Sequence, residues 1–244
     1  MALLEVRNLT VYYGAVLALQ DVSFEVGEGE LVSLLGPNGA GKTTTLRTVS
    51  GMIAPRAGEI IFEGQPVHGK SSQEIVSMGL AHLPEGRELF PSLTVEENLR
   101  LGYYSQRKNS GYNEMLEQAF HFFPKLKERR SQACGTMSGG EQQMLAMARS
   151  LMSRPKLLVI DEMSLGLAPI IVEQLFDILE EVNRAGTAAL VVEQFVNMAL
   201  GHTDRAYVLS RGQVALEGPS RQLRDDPELL ASYLGSEAEG AHAS

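Results

Sequence analysis

Short apolar runs separated by glycine turns set the rhythm of this chain. Leu31-Val32-Ser33-Leu34-Leu35, Leu80-Ala81-His82-Leu83, Leu157-Leu158-Val159-Ile160 and Ala188-Ala189-Leu190-Val191-Val192 have the length and character of strands buried on both faces. Leu4–Asn8 and Val22–Val26 read as strands that expose one face, the second alternating Val22, Phe24 and Val26. Glu59–Phe62 is a further short strand, and turns at Gly27–Glu30, Pro55–Gly58 and Glu63-Gly64 punctuate this part. The N-terminal part therefore predicts a small antiparallel sheet beside the Leu31–Leu35 strand. Near the other end, Arg205–Leu209 and Gln213–Glu217 form a predicted hairpin over Arg211-Gly212.

Between these runs the period changes to that of helices. Thr44–Ser50 is closed by Gly51, and Ser71–Ser77 is a second short helix. Thr94–Leu101 opens with Thr94 and Glu97 at capping-box spacing. Asn113–Phe123 spaces Met115, Leu116, Ala119, Phe120 and Phe123 for core packing, and Pro124 ends it. Lys125–Arg130 reads as a solvated basic helix face, and the stretch Thr136–Gln143 leads into a helix to Ser153. Ile170–Asn183 is amphipathic and stops at Gly186, and Pro227–Leu234 is a last short helix. Strands alternating with helices predict an α/β protein with a parallel sheet. Residues 1–85 and 155–235 form the core with its antiparallel β subdomain, residues 86–154 form an inserted helical lobe, and 236–244 form a small, polar, disordered tail.

Composition narrows the picture. The chain has 244 residues, 44% of them hydrophobic, which suits one domain with a lobe. Its formal net charge of -9 argues against a nucleic-acid partner, which needs a basic face. Cys134 is the sole cysteine, so no internal disulfide forms. The early charges Glu5 and Arg7 do not suit a signal peptide, and no apolar run approaches the roughly 18–20 residues of a spanning helix. A membrane role is therefore expected to be peripheral, through a partner.

Candidate chemistry gathers at the ends of three apolar strands. Gly36-Pro37-Asn38-Gly39-Ala40-Gly41-Lys42-Thr43-Thr44 matches the phosphate-loop pattern, with a strand before it and a helix after it. Glycines let backbone N–H groups turn toward phosphate oxygens, and the helix start adds unpaired donors. Lys42 is placed to reach the β- and γ-phosphates, and Thr43 to offer its hydroxyl to magnesium. Leu157–Ile160 ends in Asp161-Glu162 and Ala188–Val192 in Glu193-Gln194. If the three strands lie side by side, their ends converge on one crevice. Asp161 then serves as a magnesium partner, and Glu162 polarises a water for in-line attack. Ser138-Gly139-Gly140 precedes a helix, with Ser138 as its N-cap and the glycine N–H groups open to an anion.

Taken together, Gly36–Thr44, Met137-Ser138-Gly139-Gly140-Glu141 and Leu157–Glu162 resemble the ATP-binding subunit of ABC transporters, over about residues 3–235. The resemblance implies a phosphate-loop NTPase with a RecA-like core and a helical signature lobe. It implies ATP and Mg2+ as ligands, and a sandwich dimer. In that dimer Ser138, Gly139, Gly140 and Glu141 serve in trans the nucleotide held by another subunit's phosphate loop. It implies that Tyr13 stacks on adenine. It further implies a second ATP-binding subunit, two transmembrane permease subunits, a substrate-binding protein and a peripheral location at the cytoplasmic face of the membrane. Three positions depart from the family pattern: Glu85 stands where glutamine usually touches magnesium, Gln194 where histidine usually meets the γ-phosphate, and Met163 where proline is more usual. Gln194 donates a neutral bond in place of a charged one, an expected slowing of about fivefold. Pro84–Arg87, Ser164–Pro169 and Val192–Gln194 resemble the subgroup for uptake of branched-chain amino acids; the subgroup for urea and short amides is similar. A soluble ABC ATPase and a nucleotide-gated clamp are readings of other classes.

Overall fold

The computed structural model describes residues 2–106 and 111–225. The predicted helix Pro227–Leu234 and the tail 236–244 lie outside the described residues. The N-terminal strands β1 (Ala2–Tyr13) and β2 (Val16–Gly27) pair antiparallel around the turn Gly14-Ala15. With β4 (Ala57–Phe62) and β5 (Gln65–Pro66) they make a four-stranded sheet of order β2-β1-β4-β5. β1 and β2 are about twice as long as the apolar pattern alone suggests. Register shifts interrupt their pairing, and Asn8 and Asp21 adopt left-handed φ of 50° and 55°, so polar residues break the alternation without ending the strands.

The second sheet has six strands in the order β10-β9-β3-β8-β7-β6. They are β3 (Leu31–Leu35), β6 (Leu80–Leu83), β7 (Leu157–Asp161), β8 (Ala188–Val192), β9 (Arg205–Ser210) and β10 (Gln213–Pro219). All neighbours pair in parallel except β9 and β10, joined by Arg211-Gly212 with φ of 49° and 78°. Alternate side chains of the sheet enter different cores. Leu31, Leu35, Leu158, Ile160 and Val191 face the helical side. Val32, Leu34, Val159, Leu190 and Val192 face the antiparallel sheet. Ser33, fully buried, sits in this apolar strand because its hydroxyl pairs with Thr203 Oγ1 at 3.1 Å, which in turn pairs with Ser220 Oγ at 2.9 Å.

The helix α1 (Lys42–Val49) follows β3, and α2 (Ser72–Met78) is capped by Ser71. Residues 86–154 contain α3 (Val95–Gly102), α4 (Tyr112–Phe122), α5 (Pro124–Glu128) and α6 (Gly139–Leu151). The expected capping box is present on α3, where Thr94 Oγ1 accepts from Glu97 N at 3.2 Å. Pro124 ends α4 as expected but also starts α5, because its fixed φ and missing N–H suit the first helical position. The basic run is short and anchored by buried Leu126. α7 (Pro169–Arg184) precedes β8, and α9 (Ser220–Leu223) follows β10. Two short helices, α8 (Val196–His202) and α9, were not anticipated: α8 forms because Ala199 and Leu200 pack into the core, and α9 because Leu223 does.

Candidate active site

β3, β6, β7 and β8 run parallel, and their C-terminal ends deliver the phosphate loop, Glu85, Asp161-Glu162 and Glu193-Gln194 to one edge of the sheet. A cleft of about 720 Å³ opens there, lined by Tyr13, Lys42, Thr43, Glu85, Glu162 and Gln194 among others. The expected convergence is present. A larger hollow of about 1000 Å³ between α4 and α7, near Phe122 and Ile178, holds no phosphate-loop residue.

The loop from Gly36 to Gly41 wraps tightly. A Cβ on Gly36 would sit 2.4 Å from Leu209 O, and one on Gly41 would sit 2.5 Å from a Leu19 methyl, so both positions require glycine. Gly41 is also left-handed, at φ 105°, and caps α1 without any side-chain hydrogen bond. The first turn of α1 thus keeps its N–H groups for an anion. Lys42 Nζ donates to Gly36 O at 2.7 Å and Pro37 O at 3.1 Å, folded over its own loop. Burial lowers the pKa of this ammonium, against the pull of Glu162, Asp161 and Glu193.

Thr43 Oγ1 donates to Asp161 Oδ1 at 3.2 Å. Burial pushes the Asp161 carboxyl up to about 6, reinforced by nearby Glu162 and Glu85 and opposed by the Thr43 bond. Crowded carboxylates beside a hydroxyl form a hard-oxygen set that suits Mg2+, which takes one or two carboxylates and completes its shell with phosphates and water. Glu162 has a left-handed φ of 50°, and its N–H is pinned to Val192 O at 3.0 Å. This kink separates its half-buried side chain from buried Asp161. Gln194 Nε2 donates to Glu162 Oε2 at 2.8 Å, a contact not anticipated from the sequence. Tyr13, rather than its neighbour Tyr12, lines the cleft, with Val16 and Leu17 beside it.

Ser138, Gly139, Gly140 and Glu141 are not among the cleft-lining residues. They form the first turn of α6, closed by a capping box: Ser138 Oγ accepts from Glu141 N at 3.3 Å, and Glu141 Oε2 accepts from Ser138 N at 3.0 Å. Arg129 Nε lies 3.0 Å from the other Glu141 oxygen.

A family model described as ABC transporter matches residues 19–164, a span that includes the phosphate loop, the Ser-Gly-Gly turn and Asp161-Glu162. The chain belongs to the ABC transporter family. It is the ATPase component of such a transporter. It is 47% identical over 233 residues to the high-affinity branched-chain amino acid transport ATP-binding protein BraG of Pseudomonas aeruginosa, covering 96% of this chain and 100% of that one. It is 31% identical to the corresponding protein LivG of Escherichia coli K12, over 96% of this chain and 98% of that one. The solved structure of the ADP conformation of an ATP-binding cassette from an ABC transporter superposes with a TM-score of 0.85 at 28% identity, over 96% of this chain and 99% of that one. In this ABC cassette no described helix is long and apolar enough to cross a membrane.

The ABC cassette also holds a charged group that the motifs did not single out. Glu193 is fully buried behind Gln194 and accepts a hydrogen bond from Ser164 Oγ, while its Oε1 has no partner among the described residues. Burial pushes its carboxyl from the ordinary 4.5 up to about 7. A folded-state pKa above the unfolded one means that the native state binds the extra proton. The associated stability is therefore complete below the unfolded value and is lost as pH rises through the folded one. For the nucleotide-free chain, Glu193→Gln is expected to remove a few kcal/mol of the stability loss between about pH 4.5 and pH 7. Urea unfolding of parent and variant across this range measures the difference, and parallel curves would refute the assignment.

Proposed function

We propose that this chain binds and hydrolyses ATP to energise an importer of branched-chain amino acids. The observation that carries the reading is the full-length likeness to BraG, at 47% identity, in a chain whose phosphate loop, Asp161, Glu162 and Gln194 gather at one sheet edge. In this reading Gly36, Pro37, Asn38, Gly39, Ala40, Gly41, Lys42, Thr43 and Thr44 cradle the phosphates, and Tyr13 stacks on adenine. Thr43, Asp161 and Glu85 hold Mg2+, whose chemistry is to neutralise phosphate charge. Glu162 orients and deprotonates the attacking water, and Gln194 keeps the Glu162 carboxylate in place until nucleotide arrives. Ser138, Gly139, Gly140 and Glu141 complete the site of a second ATP-binding subunit, a different chain in a heterodimer.

Residues 1–235 act as one ABC ATPase domain, with 86–154 as its signature lobe. Two permease subunits receive the motion, and a substrate-binding protein supplies the cargo. The chain itself works peripherally, at the cytoplasmic face of the membrane. The test is uptake of radiolabelled leucine by cells lacking the chain, restored with the parent or with Lys42→Ala. Restoration by the parent alone supports the proposal. Restored uptake of urea or acetamide, with no effect on leucine, redirects the cargo assignment. Full leucine uptake with Lys42→Ala defeats the ATPase role.

A further inference from the structure

The loop leaving β6 has an unusual backbone. Gly86, Arg87 and Glu88 all take left-handed φ, at 86°, 67° and 44°. Side chains disfavour this region, and two successive non-glycine residues persist there only where neighbours over-determine them. Here α6 grips the loop. Arg149 donates from Nη1 to Glu88 O at 2.7 Å and from Nη2 to Arg87 O at 3.2 Å. The Arg87 side chain returns the contact: its Nε donates to Gln143 Oε1 at 3.2 Å and its Nη1 to Gln142 Oε1 at 3.1 Å.

Gln142 is bonded at both ends. While its oxygen accepts from Arg87, its Nε2 donates to Cys134 O at 3.1 Å and Met137 O at 3.3 Å. Those carbonyls belong to the turn that delivers the chain to Ser138. A Cβ built on Gly139 would lie 3.2 Å from Arg87 Nη2, so the guanidinium also flanks the glycines themselves. One continuous path thus runs from Glu85 in the cleft, through two peptide bonds to Arg87, across Gln142, to the backbone before Ser138.

We propose that Arg87 is a positioning residue for the Ser138-Gly139-Gly140 turn. Through Gln142 it ties the placement of that turn, which meets the other subunit's nucleotide, to the loop beside this chain's own cleft. The proposal rests on the ATPase reading above. The planar fork of arginine suits two amide oxygens at once, which the single ammonium of lysine does not match.

The test uses the transporter assembly purified through a tag on this chain. Arg87→Ala is expected to lower kcat about tenfold, as the loss of charge-assisted hydrogen bonds implies. KM for ATP and equilibrium binding of a fluorescent ATP analogue stay within about twofold, because the phosphate loop is untouched. Gln142→Ala reproduces the loss, and the double variant is no worse than the more severe single one, since both cut the same path. In the nucleotide-free assembly, amide hydrogen exchange at Thr136 and Met137 speeds up about tenfold in Arg87→Ala. If Arg87→Ala does not accumulate folded, Gln142→Ala carries the same rate, binding and exchange measurements. A parental kcat, multiplicative losses in the double variant, or unchanged exchange at 136–137 overturns the proposal alone. A parent assembly that hydrolyses no ATP, or hydrolysis that survives Lys42→Ala, overturns the ATPase reading and takes this proposal with it.

Discussion

Glu162→Gln is expected to lower ATP hydrolysis by about 10²–10³-fold while nucleotide remains bound. The change is nearly isosteric and leaves the phosphate loop intact. What it removes is the carboxylate that stands in the cleft at the end of β7. The left-handed kink at φ 50° and the bond from its N–H to Val192 O hold this residue apart from Asp161. The neighbouring carboxylates are committed elsewhere: Asp161 is buried and bonded to Thr43, Glu193 is sealed beneath the surface, and cleft-lining Glu85 is a magnesium partner in the proposed reading. Single-turnover hydrolysis beside equilibrium binding of a fluorescent ATP analogue measures both halves of the expectation. Equal rates in parent and variant would favour a nucleotide-gated clamp and remove Glu162 from the chemistry.

Lys42→Ala acts at an earlier step. Among the described residues its ammonium is the one lysine side chain lining the cleft, and a charge-assisted contact to two phosphates is worth about 3 kcal/mol, or about 10²-fold in affinity. The nucleotide-free protein has its own stake in this side chain, which bridges Gly36 O and Pro37 O at 2.7 and 3.1 Å. Removing it leaves the loop without a tether and takes away a positive charge that Glu162, Asp161 and Glu193 attract. Calorimetric titration with ATP and magnesium should therefore lose most of its binding signal. Unchanged affinity would mean that backbone donors alone hold the phosphates.

Much of this arrangement was legible in the residues, for an identifiable reason. β3, β6 and β8 fall at the expected boundaries and β7 ends one residue later, because each is buried on both faces and stops at glycine, proline or a charge. The carboxylates and the phosphate loop follow directly from those ends. β1 and β2 were harder, since their outer face is polar and their ladder is bulged. α8 and α9 were missed because each is short and opens without a side-chain cap to mark its start, unlike α2. The contacts that link the motifs were not visible at all. The Gln194–Glu162 bond depends on two different strand ends meeting. The grip of Arg87 on α6 depends on a left-handed backbone that nothing in Arg87-Glu88 announces. Glu193 looked like half of an Asp-Glu, Glu-Gln series, yet strand alternation turns it inward, toward Ser164.

The division of the parallel sheet between two cores bears on where this chain tolerates changes of length. β3 sends Leu31 and Leu35 to one side and Val32 and Leu34 to the other. Inserting or deleting one residue within it would exchange those sides for every position that follows. It would also carry Gly36 about 3.3 Å along the strand, away from Leu209 and the other strand ends. Length variation is thereby excluded from residues 31–35 and diverted to exposed turns such as Gly14-Ala15. In that sense β3 is a ruler, and its five side chains fix where the phosphate loop begins.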